Sequence, residues 1–294
     1  MDLSKLPSRS PHKWPPNAPA AILRTLRDEA AGDAERLLAA ELAEALADEH
    51  DDLAWALINV LDDPRESEEL RAQAAASLSS AVIEWVIRTG MIGRPPDPPP
   101  TEAQVRASEL IDRIYLDETA PELVRRRALE SSVRAEREWH RNAVLEAWAS
   151  DDLDWRVTAL TCMGFLEEFD EVILDSLASE CPRTLEAAVG AAGERGLREA
   201  WPRIRAILTD PSPERSLFLT AIHAAAEAHP RPALPFLHPL VHSDDPEIAW
   251  TARGSFVVAL LCSGTLFEPE GDIRLDDLES QFPAHVLRNG SRRS

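Results

Sequence analysis

At 294 residues with 44% hydrophobic side chains, the chain can build one or two cores, but aromatics at 5% and only 11 Gly disfavour a β-sandwich or barrel. Fifty-two acids against 31 bases leave a net charge of −21, which excludes a nucleic-acid partner unless one face gathers its cations. There is no bilayer-length apolar run, Met1 to Pro19 lacks the apolar stretch of a signal peptide, and three cysteines make no disulfide framework, so the expectation is a cytoplasmic protein with no membrane partner.

Residues 1–19 carry Pro7, Pro11, Pro15, Pro16 and Pro19 and read as a flexible Pro-rich arm. From residue 20 to 262 the chain reads as short amphipathic helices, with apolar residues at i, i+3 and i+7, as in Trp201, Ile204 and Leu208 or Leu234, Leu237 and Val241. Leu185, Ala188, Val189 and Ala192 repeat that face with smaller residues. Asp-Pro pairs at Asp63-Pro64, Asp210-Pro211 and Asp245-Pro246 mark helix starts, since Asp caps a helix and Pro is tolerated in its first turn. Residues 94–100, rich in proline, form a stiff loop insertion, and 263–294 read as a C-terminal cap with a basic tail. Residues 1–27 carry a charge of +4 and 286–294 of +3, so two basic ends flank a body of −28. Lysine occurs only at Lys5 and Lys13, a coding bias like that of GC-rich bacterial genomes.

Anchors at Leu70, Val124, Trp155, Thr184, Arg215 and Ile248 are separated by 54, 31, 29, 31 and 33 residues. The longest gap holds the proline-rich loop, and the others are each one helical hairpin long. Four residues beyond the anchors stand Ala74, Ala128, Ala159, Ala188, Leu219 and Ala252; seven beyond stand Ser77, Ser131, Cys162, Ala191, Ile222 and Ser255. Small residues at these places let neighbouring helices approach closely.

The units Asp152-Leu153-Asp154-Trp155-Arg156 with Ala159 and Gly164, Leu70-Arg71 with Ala74, Val124-Arg125 with Ala128, and Asp245-Pro246-Glu247-Ile248 with Ala252 resemble the HEAT-like (armadillo-type) repeats of bacterial proteins. The resemblance implies an all-α fold, an α-α superhelix or solenoid of about six or seven hairpins. It also implies that first helices line a convex side and second helices a concave one, with 20–47 and 265–282 available as end caps. One enzyme of this family builds a di-iron centre from His-Glu dipeptides, and none occurs here.

The functional expectation is a noncatalytic protein-interaction scaffold or adaptor, not an enzyme and without a cofactor or metal, whose acidic curved surface takes another protein with a basic surface. Two alternatives stand beside it: a ligand-binding lyase-type enzyme subunit of the HEAT-like class, and an acidic immunity-type inhibitor of a basic toxin. The candidate partner-binding residues are Arg127, Arg134, Arg137, Arg141 and Trp139, with Glu167, Glu168 and Glu171. An unbroken helix would align Arg127, Arg134 and Arg141, but the repeat period predicts a break near 134–138 that scatters them. Arg125 would then be the stacking arginine of its repeat, and Trp155 and Trp201 would fall in the core. His223, His229, His238 and His242 crowd together without a ligand spacing that completes a zinc site.

Overall fold

The computed structural model describes residues 1–6, 11–82, 99–135 and 139–263. Among them there are α-helices and short 3₁₀ turns and no strand, as the periodicity requires. The chain divides into two compact units, Met1–Ala143 and Val144–Ser294.

In the first unit the helices are α1 (Ala18–Arg27), α2 (Asp33–Ala43), α3 (Asp51–Asp62), α4 (Glu68–Ser77), α5 (Glu102–Leu116) and α6 (Glu122–Ser132). They form the antiparallel pairs α1/α2, α3/α4 and α5/α6, with α1, α3 and α5 side by side in one layer and α2, α4 and α6 in the other. The second helix of each pair is pinned to the first by an arginine ten residues beyond its acceptor. Arg36 Nη2 donates to the Leu26 carbonyl (3.2 Å), Arg71 Nε to that of Leu61 (3.1 Å) and Arg125 Nε to that of Tyr115 (3.0 Å). These carbonyls lie at the C-terminal ends of α1, α3 and α5, where no intrahelical donor is available. Arg36 also forms a two-pronged pair with Glu66, both contacts at 2.6 Å. Arg125 lies over the Tyr115 ring and is the stacking arginine the repeat pattern predicts.

After residue 139 come α7 (His140–Ala149), α8 (Leu153–Met163), α9 (Asp170–Ser176), α10 (Pro182–Arg195), α11 (Trp201–Leu208), α12 (Arg215–Ala228), α13 (Pro230–Leu240) and α14 (Pro246–Ser263). Within the second unit α8, α10, α12 and α14 lie side by side as second helices, each following its shorter first helix. Here glycine sets the spacing. A Cβ on Gly193 of α10 would stand 2.6 Å from Ala224 Cα of α12, and one on Gly164, at the end of α8, 3.0 Å from Ala191 Cα of α10. No side chain fits at the first position without moving backbone.

The small-residue positions behave as expected. Ala74, Ala128, Ala159, Ala188 and Ala252 are buried, and so are Ser77, Ser131, Cys162, Ala191 and Ser255. The Asp-Pro rule holds less widely. Asp245 accepts hydrogen bonds from the Glu247 and Ile248 amides and starts α14. At the other two sites the Asp-Pro pair stays in the loop, and Ser67 and Glu214 supply the cap: Ser67 accepts from the N3 amide of α4, and Glu214 from the N2 and N3 amides of α12. Trp155 and Trp201 are half-buried and not in the core, since the helix faces that reach the centre are taken by Ala159, Leu160 and Ile204. Gly196, at φ 67°, ends α10 in the left-handed conformation that glycine adopts without strain.

Candidate functional site

α1 has two different faces. Ala18, Ala21, Ile22 and Leu26 are buried against the rest of the unit. Ala20, Leu23, Arg24 and Arg27 share the opposite face, and with Asp28 they line a hollow of about 420 Å³ open to solvent. Helix composition places the charges: arginines in the last turn complement the negative carbonyl end of α1. The hollow therefore has an apolar floor at Ala20 and Leu23 and two guanidinium groups one turn apart at its mouth.

Among the described residues Arg24 and Arg27 form no ion pair, which they share with Arg156, Arg198, Arg203, Arg205 and Arg231. What sets them apart is that they line the same hollow. Other arginines are paired: Arg36 with Glu66, Arg65 with Asp63, Arg113 with Asp62, Arg183 with Asp154, Arg195 with Asp170, and Arg215 with Asp245 and Glu247. Asp28, at the hollow's rim, accepts the Ala30 amide at 3.0 Å. Two guanidinium forks recognise a carboxylate or phosphate in paired hydrogen bonds, while the rim carboxylate disfavours a second anionic group and accepts from a hydroxyl or amine.

The residues singled out from the sequence lie elsewhere. Arg127, on α6, is exposed and paired with Glu130 at 2.6 Å. α6 ends at Ser132 and a 3₁₀ turn at Val133–Ala135 follows, so Arg134 stands in that turn and Arg141 on α7; the break scatters the three arginines. Arg137 lies outside the described residues. Trp139 is half-buried, its ring stacked on Tyr115 at 4.6 Å and 13°, with His140 against its other side at 4.0 Å. Glu167, Glu168 and Glu171 are exposed around the start of α9. None of them lines the hollow.

Among the described residues no group of His, Cys, Asp and Glu is arranged to hold a metal ion. His238 and His242 are exposed and face each other edge to plane at 5.9 Å, and His229 packs against Trp201. Cys181 precedes the first residue of α10, where hydrogen bonds from the Thr184 side chain and then its amide pull the thiol below the ordinary cysteine value. Sequence reading missed the hollow because Ala20, Leu23, Arg24 and Arg27 look like an ordinary helix end.

No family model matches the chain, and no curated protein matches it. Solved structures similar to it include E. coli YibA, at 13% identity and a TM-score of 0.35, covering 81% of this chain and 92% of that one. Human deoxyhypusine hydroxylase, solved with glycerol, is 15% identical with a TM-score of 0.36, over 82% of this chain and 95% of the other. A chain of the Kap95p complex with RanGDP is 14% identical with a TM-score of 0.32, over 83% of this chain and 41% of its own. The described residues form stacked α-helical pairs, the all-α fold that the repeat pattern implied. The noncatalytic scaffold expected from the sequence is corrected: the similar solved structures include an enzyme, deoxyhypusine hydroxylase. No described helix is long and apolar enough to cross a membrane.

Proposed function

We propose that the chain is a ligand-binding subunit of an enzyme in the helical-repeat class, and that the hollow over α1 takes a small organic anion. The observation that carries this reading is the pair Arg24 and Arg27, uncommitted to any described acid, at the mouth of a 420 Å³ hollow with an apolar floor. Small-molecule sites combine apolar lining with a few placed charges, as this open surface hollow does. The ligand has one carboxylate or phosphate for the arginines, an apolar body over Leu23 and a hydrogen-bond donor toward Asp28.

The chain's own share is binding, and the catalytic groups belong to a separate subunit. That partner is a protein with a basic surface, matched to the acidic body of this chain, and the assembly is cytoplasmic, of bacterial type. Charge complementarity of this kind mainly speeds association.

Titration calorimetry with citrate and with phenyl phosphate tests the binding site. The reading predicts saturable heat for at least one probe, weakening as salt rises and lost in the double variant Arg24→Gln/Arg27→Gln. Heat indistinguishable from dilution for both probes, or binding unchanged in the double variant, overturns it.

A further inference from the structure

The first helices of the second unit carry opposite charges on their exposed sides. On α9 the exposed residues are Glu171 and Asp175, and Glu167 and Glu168 stand just before it. On α11 they are Pro202, Arg203, Arg205 and Ala206, and on α13 Arg231, Pro235, His238 and Pro239. Arg198 is exposed in the 3₁₀ turn that leads into α11. Residues 198–208 and 229–242 thus hold four arginines and one acid, Glu199, in a chain of net charge −21. None of these four arginines forms an ion pair among the described residues. The two helices adjoin through Trp201, whose ring meets Phe236 at 5.6 Å and His229 at 5.8 Å. Arg205 follows Trp201 by one turn on the same side of α11. Beside the cations, Pro202, Pro235 and Pro239 add exposed apolar surface that loses no rotamer freedom when covered.

We infer that this face of α11 and α13 is a docking surface for a short acidic segment of another protein, whose Asp or Glu side chains engage the four arginines while an apolar residue covers the prolines. Guanidinium forks take carboxylates in paired hydrogen bonds. Arginine beside apolar rings is also the composition found at protein interfaces. Two observations select a short segment over a nucleic acid. The cations do not extend to the preceding first helix, α9, which presents Glu171 and Asp175 instead. α11 is eight residues and so about 12 Å long, whereas a nucleic-acid strand carries a phosphate about every 3.4 Å and would run beyond the patch onto a strongly acidic body. A net charge of −21 likewise opposes the association of two copies of the chain. Neither helix lines the hollow over α1, so the two sites stand or fall separately.

Fluorescence anisotropy of a labelled peptide, Glu-Asp-Phe-Glu-Asp-Leu-Glu, titrated with the full chain tests this. Saturable binding is expected, weakening as salt rises. The Kd should rise about tenfold or more in Arg203→Gln/Arg205→Gln and in Arg198→Gln/Arg231→Gln, and serine in place of the peptide's Phe and Leu should weaken binding as well. Arg24→Gln/Arg27→Gln should leave the Kd unchanged. All three variants replace exposed side chains, so their unfolding midpoints should stay at that of the parent chain. Absence of binding, a Kd unchanged in both the α11 and the α13 variants, or a loss confined to Arg24→Gln/Arg27→Gln overturns the proposal. So does tighter binding of an oligothymidylate of equal charge, which would make a nucleic acid the occupant. Self-association of the chain that displaces the peptide would make a second copy the occupant and overturns it too.

Discussion

The two units solve the same packing problem with different chemistry. In the first, the order lies inside each helix pair: Arg36, Arg71 and Arg125 each reach back ten residues to a carbonyl at the end of the preceding helix. In the second, Arg253 makes a similar tie to the Val241 carbonyl (3.3 Å), but the closest fit lies between pairs, where Gly193 meets Ala224 and Gly164 meets Ala191. A tie of the first kind joins helices that adjoin in sequence, while ion pairs such as Arg36–Glu66 and Arg113–Asp62 join neighbouring pairs. Close approach of the second kind requires that Cβ atoms be absent, so it depends on single residues. The second unit is therefore expected to tolerate substitution at its helix interfaces less well than the first.

The largest expected effect is at Gly193. Replacing it with Val adds three carbons where even one has no room, and the cost should be about 3 kcal/mol or more in chemical denaturation. A cost below that of ordinary surface substitutions would show that α10 and α12 are not so close. Next comes Arg71→Met, which keeps the buried stem but leaves the Leu61 carbonyl without its donor; the expected loss is about 1–3 kcal/mol. If Arg71→Met is neutral, the arginine is not the tie in its pair. Arg125→Met should cost less, since Arg125 is only half-buried.

The smallest effect concerns pH. The Arg215 guanidinium beside Asp245, with help from the Ile248 amide, holds that carboxyl at about 2 against the usual 3.8. Because the folded value is depressed, the associated stability is present above about pH 4 and disappears as pH falls through 2. Asp245→Asn should remove that part of the acid sensitivity while changing little at neutral pH, because the pair is at the surface. An unchanged acid transition would mean that Arg215 and Asp245 do not interact in solution.

Much of the fold is visible in the residue pattern. The anchors and the small residues beyond them mark α4, α6, α8, α10 and α14, because an alanine or serine recurring at hairpin spacing has few explanations other than close helix contact. Less visible are the details that depend on partners distant in sequence. Arg36 plays the same part as Arg71 and Arg125, yet no Asp-Pro or Val-Arg signature precedes it, and only its distance from Leu26 reveals the role. Gly193 stands outside the small-residue positions of the repeat; its importance comes from Ala224, 31 positions away. The candidate site was hidden for a related reason. Which arginines stay uncommitted is decided by where the acids fall in three dimensions, and Arg24 and Arg27 escape the pairing that engages Arg127 with Glu130.

The neighbouring glycines of α10 offer the most direct measurement. A methyl group at Gly190 would meet only the Thr220 side chain, at 3.5 Å, whereas at Gly193 it would press on the Ala224 backbone at 2.6 Å. Gly190→Ala should leave the unfolding midpoint level or raise it, since alanine favours the helix by about 1 kcal/mol over glycine. Gly193→Ala should lower it despite the same gain. Equal midpoints for the two variants would contradict the account of second helices packed backbone against backbone.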